Sequence, residues 1–183
     1  EFGDRWHEGR QLGNLAQSYL ALGDDEAAIS QMRNSISIHR EVGNRRSEGI
    51  QLGNLGDALF KRELLDEAEA VYREAITLSD ETFALAAGAF RASLALLVAG
   101  QGGVAEAQAL LAVGELQVAQ SPQEYAIFLS KKGQVCLLEG DREGAQQALE
   151  QAQAIIDELG VGPQSSTAKA VSELAALLAA DQA

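Results

Sequence analysis

Residues 3–15 read GDRWHEGRQLGNL and residues 43–55 read GNRRSEGIQLGNL, with nine of thirteen positions identical at a separation of 40. Gly3, Arg5, Glu8, Gly9, Gln11, Leu12, Gly13, Asn14 and Leu15 return as Gly43, Arg45, Glu48, Gly49, Gln51, Leu52, Gly53, Asn54 and Leu55. A period of this length constrains the fold more than any other feature. Each unit is too small to bury its apolar face alone and does so only by stacking on its neighbours. Such a stack offers an extended surface rather than a closed catalytic pocket.

Helical periodicity runs along nearly the whole chain, and no stretch alternates apolar and polar like a half-buried strand. Leu22-Gly23-Asp24 and Glu139-Gly140-Asp141 each place a glycine where one helix ends and an aspartate where the next begins. Gly100-Gln101-Gly102-Gly103 is a looser version of the same turn. Ser121-Pro122-Gln123-Glu124 reads as an N-cap, a first-turn proline and a capping-box glutamate, and Pro163 is expected at another helix start. These signals predict helix pairs at 5–22 with 25–41, 45–62 with 65–80, 82–99 with 102–119, and 122–139 with 142–159. A last helix at 165–180 presents Val171, Leu174, Leu177 and Leu178 on one side and is expected to cap the stack.

The small residues within these pairs resemble those of tetratricopeptide repeats. That family places one small residue mid-way along the first helix and two small residues flanking a larger one on the second. The first repeat offers Ala16, then Ala28, Met32 and Ser35; the second offers Gly56, then Ala68, Tyr72 and Ala75. Ser93, Ala105, Ala109 and Ala112 are expected to fill these places in the third, and Gly133, Ala145, Leu149 and Ala152 in the fourth. The repeats are longer than the family's usual unit, and their GNR-xx-EG-xx-LGNLG wording is similar to Pins/LGN-type scaffolds and bacterial regulatory proteins. The resemblance implies an all-α, right-handed solenoid, one domain over 1–183 with repeats near 4–41, 44–80, 82–119 and 122–159. It also implies a non-enzymatic module that binds a protein or peptide in its inner groove.

Composition narrows the partners. The formal net charge is −13, spread over both halves of the chain, so phosphate backbones and anionic lipid are repelled, and neither nucleic acid nor membrane is an expected partner. No apolar run reaches the roughly 20 residues of a membrane span, and no signal peptide opens the chain. Cys136 is the only cysteine, which suits a reducing, cytoplasmic compartment. Glu1-Phe2 reads as a cloning remnant, and the repeat begins abruptly after it, so a part of a larger regulatory or scaffold protein is expected.

No catalytic residue, metal site or cofactor is expected. His7 and His39 are the only histidines and lie near opposite helix ends. Gly100-x-Gly102-x-x-Ala105 has dinucleotide-like spacing, but a helical pattern stands where that fingerprint needs a strand. By the family's register, the residue before the second signature apolar position faces the groove: Asn14, Asn54, Arg91 and Lys131. Asparagine both donates and accepts, which suits an extended peptide backbone, and the two cations would select acidic side chains. Around them the same register places Gln17, Asp57, Phe60, Lys61, Phe90, Leu94, Leu97, Gln134 and Leu137. The carboxylate clamp of chaperone-type repeats is not expected, because only Asn54 and Arg91 match its five positions. Between Thr82 and Gln123 the only charged residues are Arg91, Glu106 and Glu115. That charge-poor third repeat offers a second expectation, a homodimer formed through it.

Overall fold

A computed structural model describes residues 2–181, with side chains from Asp4 onward. Nine helices and no strand occur among the described residues. They are α1 (Phe2–Leu22), α2 (Asp25–Glu41), α3 (Arg45–Lys61), α4 (Leu65–Thr82), α5 (Ala84–Gly100), α6 (Val104–Val118), α7 (Pro122–Leu138), α8 (Arg142–Leu159) and α9 (Ser166–Ala180). Every helix expected from periodicity is found, with ends within three residues of the expected ones. The chain divides into two compact units, Glu1–Phe90 and Arg91–Ala183, with the division inside α5.

Within each pair the turn follows one plan. Gly23, Gly102 and Gly140 adopt left-handed φ values of 79°, 86° and 76°. The N–H of the next residue then returns to a carbonyl of the first helix, as in Asp24 to Tyr19 at 2.9 Å and Asp141 to Cys136 at 2.8 Å. The second repeat makes the same turn without glycine: Glu63 sits at φ 60°, and Leu64 N–H donates to Leu59 at 3.0 Å. Asp24 and Asp141 then cap α2 and α8, accepting from the N–H of Ala27 at 3.0 Å and of Gly144 at 2.9 Å. Ser121 stands at the N-cap of α7 before Pro122 but makes no side-chain cap, so the expected capping box is not formed. Pro163 lies in the loop ahead of α9, whose cap is Ser165, accepting from Ala168 N–H at 3.1 Å.

The seam between the two helices of a pair is built from the small residues. Ala16, Ala28, Met32 and Ser35 are buried, as are Ala68, Tyr72 and Ala75 around Gly56. In the fourth repeat Ala145 and Ala152 are buried beside Gly133, with Leu149 packed between α8 and the core. The third repeat corrects the expected register. Ala105, Ala109 and Ala112 are exposed; the buried set on α6 is Ala107, Leu111, Gly114 and Val118. On α5 the position of Ala16 and Gly56 falls to Ala95, not Ser93. Second-helix alanines are therefore Ala28, Ala68, Ala107 and Ala145, at steps of 40, 39 and 38. First-helix to second-helix spacing is 12 residues in all four repeats: 16 to 28, 56 to 68, 95 to 107, and 133 to 145. Only the return connections differ, at 28, 27 and 26 residues.

Exposed ion pairs link repeats in the first unit: Arg33 with Glu67, Arg40 with Glu74, and Lys61 with Asp25. Each contributes little, because water screens it. In the second unit α9 packs on α7 and α8. Val171, Leu174 and Leu178 are buried there, and Leu177 is left partly exposed.

Candidate functional site

The candidate residues lie on the first helices of the pairs, and the corrected register decides which positions correspond from repeat to repeat. Counting 40, 39 and 38 from Asn14 gives Asn54, Ser93 and Lys131. Arg91 instead occupies the place of Leu12, Leu52 and Leu129, which belongs to the seam within a pair. Its guanidinium accordingly donates to Gln117 of the companion helix α6 at 2.6 Å. This moves Arg91 out of the expected row. It also leaves Asn54 as the only match to the carboxylate clamp.

In the first unit Asn14 and Gln17 are exposed on α1, and Asn54 and Phe60 are half-buried on α3. Asp57 is exposed and accepts a hydrogen bond from the Tyr72 hydroxyl at 2.6 Å, which ties the α3 face to the buried ring beneath it. Lys61 Nζ lies 2.8 Å from the Asp25 carboxylate at the start of α2. Phe90 is not a contact residue. Its ring is only 7 % exposed, because it fills the space left by the missing side chain of Gly53.

The second unit holds Lys131 and Gln134 half-buried on α7, with Lys131 donating to the Ser93 hydroxyl of α5. Leu94 is 1 % exposed in the core, at the position of Leu55, and so leaves the expected set; Leu97, equally buried, leaves with it. Leu96 takes the place shared by Gln17, Asp57 and Gln134. It joins Gln134, Leu137, Leu138, Leu177, Ala180 and Asp181 around a concavity of about 380 Å³ formed by α5, α7 and α9. Leu138 and Leu177 are 56 % and 42 % exposed, a large apolar share for a polar-rimmed depression. Its rim is polar: Asp181 accepts from Arg142 at 2.6 Å. Sequence reasoning missed Leu96, Leu138 and Leu177. Placing Gly102 level with Gly23 and Gly140 would have found Leu96.

The remaining reactive groups are arranged as structure. Cys136 is buried, and burial, with Asp141 and Glu139 adding to it, pushes its thiol above the ordinary range, away from the thiolate a nucleophile needs. His39 is buried against Gly9, and burial lowers its pKa. Among the described residues no three His, Cys, Asp or Glu side chains converge to hold a metal, and no helix is long and apolar enough to cross a membrane.

Solved structures share this fold. The chain superimposes on BtubC (BKLC) from P. vanneervenii with a TM-score of 0.67 and 18 % identity, covering 86 % of this chain and 68 % of that one. A thermophilic TPR protein of Thermus thermophilus gives a TM-score of 0.67 and 22 % identity, with coverage of 91 % and 80 %. No curated protein matches it in sequence. Residues 10–81 match the tetratricopeptide repeat family, and the paired helices and repeated small-residue seam give the chain the fold of tetratricopeptide-repeat proteins.

Proposed function

We propose that this protein is a binding module whose first helices, in each unit, receive an extended segment of a partner protein. Tetratricopeptide repeats in general mediate protein–protein interaction. The observation that carries the finer reading is the concavity between α5, α7 and α9, where Leu96, Leu137, Leu138 and Leu177 surround a single amide, Gln134. An apolar hollow with one or two convergent polar groups is the usual form of a recognition site. Lys131 lies one helical turn from Gln134, so the favoured segment pairs a large apolar side chain with a neighbouring carboxylate. In the first unit Asn14, Gln17, Asn54 and Asp57 supply donors and acceptors suited to a peptide backbone. The role is non-enzymatic, and a lone buried thiol suits a reducing compartment such as the cytoplasm.

A random twelve-residue peptide library displayed on phage tests this reading. Selected peptides should be enriched in leucine-like residues beside Asp or Glu. Their affinity, measured by fluorescence anisotropy, should fall at least tenfold for Leu138→Glu and severalfold for Lys131→Ala. Glu150→Ala, on the exposed side of α8, should leave it unchanged. Equal affinity for Leu138→Glu and the parent, with helicity intact, would place the ligand on another face.

A further inference from the structure

The repeats serve as controls for one another, and α6 departs from the other three second helices on its outward side. Ala105, Ala109, Ala112, Val113 and Leu116 of α6, with Ala119 just beyond it, are all exposed. The same register positions are exposed on α2, α4 and α8, where they carry mostly polar side chains. Ala105 stands where the others have Glu26, Asp66 and Glu143; Ala112 stands where they have Arg33, Arg73 and Glu150. Val113 replaces Asn34, Glu74 and Gln151. Leu116 is 80 % exposed and Val113 47 %. Nothing in the stacking of repeats calls for an apolar outward side, since α6 already buries Ala107, Leu111, Gly114 and Val118 on its inward side.

We infer that this face of α6 binds a second copy of the same chain, across a two-fold axis that sets the two α6 helices antiparallel. Two observations select that occupant. The exposed residues Ala105, Ala109, Ala112 and Leu116 are spaced 4, 3 and 4, the seam of a helix pair, and the pattern is self-complementary. With the axis between Ala109 and Ala112, the protruding Leu116 of each copy meets the small Ala105 of the other, and the four central alanines allow close approach. Charge is the second. Each copy carries −13, so two copies repel least where carboxylates are fewest. Of the two carboxylates on α6, Glu115 is turned to Lys132 at 2.9 Å and to the Tyr125 hydroxyl at 3.0 Å, and Glu106 is exposed at the edge of the stripe, one turn before Ala109. A basic partner would gain less from this side, bordered by the single carboxylate of Glu106, than from the acidic ones. Two such stripes bury on the order of 1,000 Å², the lower edge of a specific interface, so the dimer is weak.

Sedimentation equilibrium from 5 to 500 µM tests the inference. A monomer–dimer equilibrium with a Kd of roughly 10–100 µM is expected, and it should tighten severalfold from 50 to 500 mM NaCl as repulsion between the acidic bodies is screened. Leu116→Glu and Ala109→Glu, both at exposed positions, should keep the parent's circular dichroism and Tm and remain monomeric throughout. A parent that is monomeric at 500 µM in high salt overturns the inference. So does a dimer that persists in both variants, or one that weakens as salt rises. None of these outcomes bears on peptide binding by the first helices, which is read separately.

Discussion

Gly56→Ala tests whether the seam between α3 and α4 is as tight as its geometry indicates. A Cβ built on Gly56 would lie 2.6 Å from Cδ1 and Cε1 of Tyr72. Carbon atoms in contact prefer about 3.5–4.0 Å, so the ring or the helix must move by roughly 1 Å. Tyr72 is 0 % exposed and its hydroxyl is held by Asp57, so the ring has no free direction. Overpacking of this kind costs about 1–3 kcal/mol, and alanine returns about 1 kcal/mol of helix propensity. The net expectation is a loss of roughly 1 kcal/mol, or about 2–4 °C in Tm for a chain of this size. The first repeat solves the same problem with Ala16 and Met32. Copying it, Gly56→Ala with Tyr72→Met should be more stable than the two single losses predict, by at least about 1 kcal/mol of coupling. Urea unfolding of the four proteins gives the cycle directly. Additivity within about 0.5 kcal/mol would show that Gly56 is not fitted to the tyrosine ring.

Three further outcomes are expected. Glu63→Gly should raise the urea midpoint by an amount equivalent to about 0.5–1 kcal/mol, because Glu63 holds the left-handed φ of 60° that glycine supplies in the other three turns; a lower midpoint would mean its side chain contributes more than the strain costs. Leu174→Asp should lower Tm by many degrees and release α9, since a carboxylate would enter the buried cluster of Cys136, Ala145 and Leu178, whereas melting within two degrees of the parent would deny α9 its capping role. Burial holds the folded pKa of His39 below the usual 6.5, with Glu48 opposing in part, so above pH 6.5 neither folded nor unfolded state binds that proton. As pH falls below 6.5 the unfolded chain takes up the proton first, and stability should drop by up to about 1.4 kcal/mol per pH unit until the folded pKa is reached; His39→Asn should flatten that slope between pH 6.5 and 5.5, and an unchanged slope would assign it to other groups.

The helices were legible because glycine turns and apolar periodicity agree along the chain, and Gly23, Gly140 and the Gly100–Gly103 run mark where pairs fold back. The register of the third repeat was not, for a physical reason. A periodic pattern locates the buried side of a helix by contrast with a polar side, and on α2, α4 and α8 that contrast exists. On α6 both sides are small and apolar, so Ala105, Ala109 and Ala112 read as well as Ala107, Leu111 and Gly114. The two-residue error then carried Arg91 into the row that belongs to Ser93, and Leu94 into the place of Leu96. In the second repeat, the left-handed turn at Glu63 had no glycine to announce it. Phe90 looked available because its neighbour Gly53 gives no hint in sequence that it leaves a hole of aromatic size.

The constant 12-residue interval within every hairpin, set against return connections of 28, 27 and 26, divides the chain into rigid and elastic lengths. A single residue added between Gly56 and Ala68 would turn one helix by about 100° relative to its companion and carry the alanine seam out to solvent. The same addition at Val42–Asn44, where the chain passes between pairs, leaves both flanking seams in phase. Homologous chains can therefore lengthen or shorten at the joints by ones and twos while every hairpin keeps its count, and epitope tags or reporter insertions belong at those joints.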